Sequence, residues 1–480
     1  MGKQTDASAY TRLSNDSPSC NAYDSPSPRQ SMSAMTPSQI LRSFIMMAIC
    51  FSANHGAVTA CLGISSSRLG DLSKFGADLG TWQSGTLYVT YTLSAVFGAA
   101  YIVQKLGSRD GLFAGVAIYC VYVSCFLVTS LVSDEAKWPV AIAGAAIGGI
   151  GGGFLWTAQG AYFGRTAEAY AKALDIPTSD ATSYLGGIFA FFYLAEEVIL
   201  KLISTFVTVE LKWSWLTVFL IYTVIAVVAA IGMMFVHKFS EEKGDDSKNL
   251  CYKLTSAGRL LTNDPKMKYM IPMNAVFGFA ASFLTAYVTG QVVHVSGLDD
   301  YVGVLTAIPA GVAAALSLVL GPLASKTGKG PILIFGAVCF AALSSIFILK
   351  PGLEGWGWGP LIFAFVLMGC GRATFEGTLR ATFADFFSED LPGAFANIIL
   401  QSGLSSAFAF FAFPHLACET EGDYCVAYKD GTLHNVFALE LVVIVTAVLA
   451  ILGYMRASCI HSAQLRKKAL DEEMIMEGRV

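Results

Sequence analysis

The sequence predicts an all-α integral membrane protein of twelve transmembrane helices in two six-helix halves, and three observations carry that prediction. Apolar residues make up 54% of the 480 and charged residues only 14%, against about 25% charged in soluble domains. Apolar runs of roughly twenty residues, each able to cross about 30 Å of hydrocarbon, succeed one another along the chain. The longest polar interval between runs, 237–268, follows the sixth and leaves six more behind it.

Taken in order, residues 1–39 are rich in Ser, Pro, Asn and Asp and lack an apolar period, so a disordered cytoplasmic tail is expected. No apolar stretch precedes Ile40, so no cleavable leader is expected. The N-terminal half, 40–236, is predicted to cross at 40–63, 80–104, 111–132, 138–164, 183–209 and 214–236. A cytoplasmic connector, 237–268, carries His237, Lys238, Glu241, Glu242, Lys243, Asp245 and Asp246. The C-terminal half, 269–456, is predicted to cross at 269–293, 301–323, 331–350, 358–381, 393–416 and 434–456, before a second cytoplasmic tail, 457–480. With this assignment 24 Lys and Arg fall on the side of the termini, six on the other, and Lys201 within a span. Basic residues gather on the cytoplasmic side of membrane proteins, which places both termini there.

Two loops repeat between the halves. After span 8 stands Gly321-Pro322-Leu323-Ala324-Ser325-Lys326-Thr327-Gly328-Lys329-Gly330, and after span 2 a looser copy, Gln104-Lys105-Leu106-Gly107-Ser108-Arg109-Asp110-Gly111. Glycines permit the sharp reversal, and basic groups can cap a helix's carbonyl end or pair with a neighbour. The layout and these loops resemble the major facilitator transporters, whose fold is two six-span halves around a midplane site. Span 4 carries Trp156-Thr157-Ala158-Gln159-Gly160-Ala161-Tyr162. This string is similar to the signature of the superfamily's uncoordinated-93-like branch. That resemblance implies either transport or a role as regulator of potassium channels or escort of membrane receptors.

A charge at the bilayer centre costs about 3 kcal/mol, so ionisable residues inside spans are expected to face protein or a cavity. Span 5 holds Glu196, Glu197 and Lys201. Glu197 and Lys201, four apart, share a helix face in the favourable acid-first order, whereas Glu196 projects about 100° away. They read either as a coupling-ion site or as a structural ion pair. Span 10 holds Arg372, Glu376 and Arg380 at four-residue steps, so Glu376 can pair with either arginine. Arg372, near mid-depth, could meet an anionic substrate or join a structural network. Arg380 and Asp385, nearer the cytoplasm, read as a gate or helix-end contact. Asn54 and His55 in span 1, Trp156 and Gln159 in span 4, Asn274 in span 7, and Asn397 and Gln401 in span 11 either line a cavity or bond between helices.

Gly144, Gly148 and Gly152, interleaved with Gly149 and Gly153, form overlapping G-x-x-x-G steps suited to close helix packing. The loop-motif residues Gly107, Arg109, Gly321, Gly328 and Lys329 are expected to form gates or turns. The eleven cysteines show no C-x-x-C and no metal-ligand spacing, and Cys418 with Cys425 could close a disulfide on the extracytoplasmic side or remain free thiols. Neither a nucleotide-binding loop nor a hydrolase motif is found, so no enzyme, cofactor or metal is expected, and a net charge of -4 suggests no nucleic-acid partner. The expected surroundings are the lipid bilayer, a small-molecule or ion substrate, and a membrane-protein partner. The function read from this is a secondary transporter of major facilitator type. The alternative is a non-transporting accessory protein.

Overall fold

The apolar runs fold into helices throughout. The computed structural model describes residues 35–68, 73–74, 77–239, 256–350, 355–387, 391–417, 419–421, 424–426, 428–429, 432–433 and 436–476. Among these residues the first half comprises α1 (Pro37–Arg68), α2 (Leu79–Ser94), α3 (Ser108–Thr129), α4 (Asp134–Leu174), α5 (Thr178–Thr205) and α6 (Trp215–Met233). α2 continues through a π turn, Ala95–Ala99, to Leu106, and α5 ends on another, Phe206–Glu210. A short helix, Ser256–Asn263, leads into the second half. That half comprises α7 (Pro265–Val295), α8 (Val302–Thr327), α9 (Lys329–Leu349), α10 (Trp358–Phe386), α11 (Leu391–Ala417) and α12 (Val436–Met476). Short antiparallel ladders occupy the α1–α2 and α11–α12 connections.

Ten of the twelve are long and apolar enough to cross a membrane. The other two are α2, with Thr81, Gln83, Ser84 and Thr92 buried, and α5, with Glu196, Glu197 and Lys201. Helices whose polar groups face protein need not be apolar all round. The lipid face is supplied elsewhere, for example by exposed Val224, Val228 and Ile231 on α6 and Leu449 and Leu452 on α12.

α4 and α12 each run 41 residues, about 60 Å at helical rise, or twice the hydrocarbon thickness. α12 therefore continues through most of 457–480, where the sequence predicts a tail. Between Gly453 and Met476 no Gly or Pro interrupts a run rich in Ala, Leu, Arg, Lys and Glu, all strong helix formers. Hydropathy marks where the membrane ends, not where the helix does. Pro37 likewise begins α1 within the expected N-terminal tail, whose residues 1–34 lie outside the described ones.

The two repeated loops share one conformation. Gly107 alone separates α2 from α3, at φ 90 and ψ 157. Gly328 alone separates α8 from α9, at φ 83 and ψ 163. A side chain is strained at such φ, so a one-residue reversal needs glycine. The basic and acidic groups beside these turns pair across the same end of each half: Lys238 with Asp110 at 2.6 Å, and Lys329 with Asp385. Arg109 lies 3.1 Å from Asp110, and Lys329 also donates to the Ala381 carbonyl at 3.0 Å. These pairs are partly exposed and each contributes less than about 1 kcal/mol.

The glycine steps of α4 pack against α2 and α3. A Cβ at Gly148 would meet the Tyr122 ring, and one at Gly149 would fall on the Thr90 hydroxyl and the Leu87 carbonyl. Within the halves α1 packs on α5 and α6, and α7 on α11 and α12. Between them the main contacts are α5 with α8 and α2 with α11. Adding six to each label exchanges those two pairs, as a two-fold relation between the halves requires.

Candidate functional site

The ionisable residues of α5 and α10 meet at the boundary of the halves. Helical spacing sets Glu197 and Lys201 together, and Lys201 Nζ donates to Glu197 Oε1 at 2.6 Å and to the Thr306 carbonyl of α8 at 3.1 Å. From α10, Arg372 grips the same carboxylate with both ends of its fork: Nη1 to Oε1 at 2.7 Å and Nη2 to Oε2 at 2.5 Å. Nη2 also donates to the Tyr193 hydroxyl at 3.2 Å. Planar bidentate pairing of this kind is the strongest form of charged hydrogen bond. Glu197 is 2% exposed and Arg372 9%. Glu376 pairs with Arg380 Nη2 at 2.9 Å and lies 3.9 Å from Arg372 Nε. A π turn, Thr374–Leu379, separates the two arginines, a distortion that gathers at functional sites.

These side chains border a cavity of about 230 Å³ between the halves. Its walls carry His55 from α1, Tyr88 and Tyr91 from α2, Trp156 from α4 and Phe375 from α10. His55 is packed among the Phe51, Tyr119, Trp156 and Tyr193 rings, and its Nδ1 has no hydrogen-bond partner. The Arg380 guanidinium lies 4.9 Å from the centre of the Trp156 ring, with its Nε unpartnered. On one side of the cavity the halves close. Gly303 of α8 abuts the Lys201 carbonyl of α5, Thr205 donates to the Asp300 carbonyl at 3.4 Å, and Gly85 of α2 faces the Phe411 ring of α11.

Of the residues singled out in sequence, Glu197, Lys201, Arg372, Glu376, His55 and Trp156 are brought together here, and Arg380, read in the sequence as a gate or helix-end contact, joins them in the wall. Glu196 is half-buried and absent from the cavity wall. Asn54 donates to the Val116 and Ala226 carbonyls, tying α1 to α3 and α6. Asn274 donates to Gln401 at 2.7 Å, and Asn397 to the Ala257 carbonyl, so these amides bond between helices of the second half. Gln159 is buried on α4 away from the cavity. Nothing crowds Gly321 or Gly328. Cys418 lies outside the described residues, and with it the Cys418–Cys425 pairing. Tyr88, Tyr91 and Thr306 join the wall without a charge to mark them in the sequence.

The sequence profile of the Major Facilitator Superfamily matches residues 38–412. The chain belongs to that superfamily. Among curated relatives of this facilitator chain, protein unc-93 homolog A of Bos taurus is 25% identical over 393 residues, covering 73% of this chain and 83% of that protein. The Mus musculus protein of the same name is 24% identical over 438 residues, covering 82% and 91%. These relatives agree with the resemblance carried by Trp156–Tyr162. Two solved structures share the fold: the nucleoside transporter NupG, with TM-score 0.61, 11% identity and coverage of 87% of this chain and 99% of that one, and the facilitator transporter FucP in its outward conformation, with TM-score 0.56, 14% identity and coverage of 88% and 98%.

Proposed function

We propose that this facilitator protein moves a small solute or ion by alternating access, its two halves rocking about the central cavity. The observation that carries this reading is the Glu197–Arg372 pair, which joins α5 to α10 across the boundary of the halves and forms part of the cavity wall. Facilitator halves turn about a midplane site, so a charged contact there is well placed to exchange partners as they move. The half boundaries at 236 and 269 fit this division. With both termini cytoplasmic, the closed side formed by α5, α8, α2 and α11 is extracytoplasmic. The likeness to unc-93 homolog A leaves open the accessory reading, a non-transporting regulator or escort of a channel or receptor.

Reconstitution separates the two. In proteoliposomes tested against a panel of metabolites and cations, with and without a pH gradient, at least one solute is expected to cross saturably. Arg372→Lys keeps the charge but loses the fork, and should lower that flux about tenfold, equivalent to about 1.4 kcal/mol. Flux no faster than in protein-free liposomes for the whole panel supports the accessory reading instead.

A further inference from the structure

The cavity wall holds three cations, Lys201, Arg372 and Arg380, and two carboxylates, Glu197 and Glu376. The wall therefore carries one more positive than negative charge, although each cation has a carboxylate partner. The carboxylates are already engaged, Glu197 by Lys201 and the Arg372 fork, Glu376 by Arg380. Beside the cavity, Arg380 Nε and His55 Nδ1, the latter a donor or acceptor according to tautomer, are buried without hydrogen bonds. His55 is only 8% exposed. A net charge and unpaired polar atoms are costly away from bulk water. Aromatic side chains, among them Tyr88, Tyr91, Tyr119, Trp156 and Phe375, share the rest of the wall with aliphatic and Ser or Thr side chains. An apolar cavity of about 150 Å³ holds benzene, so about 230 Å³ takes one ring with a charged substituent.

We infer that the cavity binds a small organic anion built on a single flat ring. Binding stands on the wall's chemistry, and only the anion's passage across the membrane rests on the transport reading. The anion's charge offsets the wall's net positive charge beside the Arg380 guanidinium, while its ring lies against the aromatic side chains that frame His55 and Arg380. A neutral ring leaves the charge unbalanced. A cationic ring adds to it.

The test is a four-probe binding comparison on the purified full chain in detergent. Benzoate carries ring and charge; benzyl alcohol and benzylamine carry the ring with no charge or the wrong one; acetate carries the charge alone. Benzoate is expected to bind at least about tenfold more tightly than each of the others. Arg380→Gln, which removes the surplus charge, should bring benzoate within about threefold of benzyl alcohol, while Arg380→Lys keeps a clear preference. Equal or tighter binding of benzyl alcohol, benzylamine or acetate, or no binding of any probe, overturns the inference. The wild-type comparison decides this even if Arg380→Gln does not fold. Flux keeps the two readings apart. Benzoate bound but not carried across proteoliposomes leaves the inference standing and removes the transport reading. A cation carried while benzoate is ignored does the reverse.

Discussion

Glu197→Gln is expected to cost about 3 kcal/mol of stability, the lower end of the range for breaking a buried ion pair. The change leaves Lys201 and Arg372 facing each other with no carboxylate between them. The cavity keeps the cost from rising further, since both cationic side chains retain 11% exposure. An isolated Glu197–Lys201 pair on α5, as the four-residue spacing suggests, would make Lys201→Met damaging and a second change, Glu197→Gln, restorative. The Arg372 fork reverses that order. Lys201→Met leaves Glu197 bidentate on Arg372 and should cost less than Glu197→Gln, because the buried carboxylate keeps a partner, whereas adding Glu197→Gln strands Arg372 and makes the double variant less stable than the single. Thermal unfolding of the three variants in detergent decides it. A double variant more stable than Lys201→Met would show that Arg372 does not share the carboxylate.

Gly303→Val is expected to open the closed side of the cavity. A Cβ at Gly303 falls on the Lys201 carbonyl and the Ser204 hydroxyl and lies 2.6 Å from Thr205 Oγ1, so α5 and α8 must separate. Overpacking of this kind costs about 1–3 kcal/mol, and each 1.4 kcal/mol changes a conformer ratio tenfold. The structure offers its own reporter, because the Thr205 hydroxyl reaches the Asp300 carbonyl at 3.4 Å. In a chain carrying Thr205→Cys and Asp300→Cys, oxidative cross-linking should be rapid with Gly303 and at least about tenfold slower with Val. Unchanged cross-linking would mean that α5 and α8 do not form the closing contact.

Much of the architecture was legible because membrane physics writes it plainly. Apolar runs suggested all twelve spans, of which ten prove long and apolar enough to cross on their own while α2 and α5 carry buried polar residues. Gly107 and Gly328 were legible as turns because a one-residue reversal leaves little choice of side chain. The Glu197–Lys201 contact was legible because helix geometry alone sets it. Its third member was not: Arg372 is 175 residues from Glu197, and nothing in either helix states which helices of opposite halves will meet. The aromatic wall was equally hidden, since Tyr88 or Tyr91 on a membrane helix reads the same whether it faces lipid, a neighbour or a cavity. Asn274, Asn397 and Gln401 could bond or line, and only packing decides. Glu440 carries the signal that marked α5, an ionisable group inside an apolar run. It is 1% exposed with Oε2 unpartnered, but no second charge lay one turn away to draw attention to it.

The central claim is that one cavity between the halves is reached from each side of the membrane in turn. Thr59 on α1 and Thr285 on α7 both border that cavity, one from each half. With the eleven native cysteines replaced, Thr59→Cys and Thr285→Cys can be labelled separately with a membrane-impermeant maleimide in right-side-out and inside-out vesicles. No substrate need be known. Each position is expected to label from both faces, faster from the face opposite the α5–α8 contact, and cross-linking Thr205→Cys to Asp300→Cys should abolish labelling from the closed side alone. Labelling from one face only, with or without the cross-link, would contradict alternating access and leave a binding cavity in a protein that does not transport.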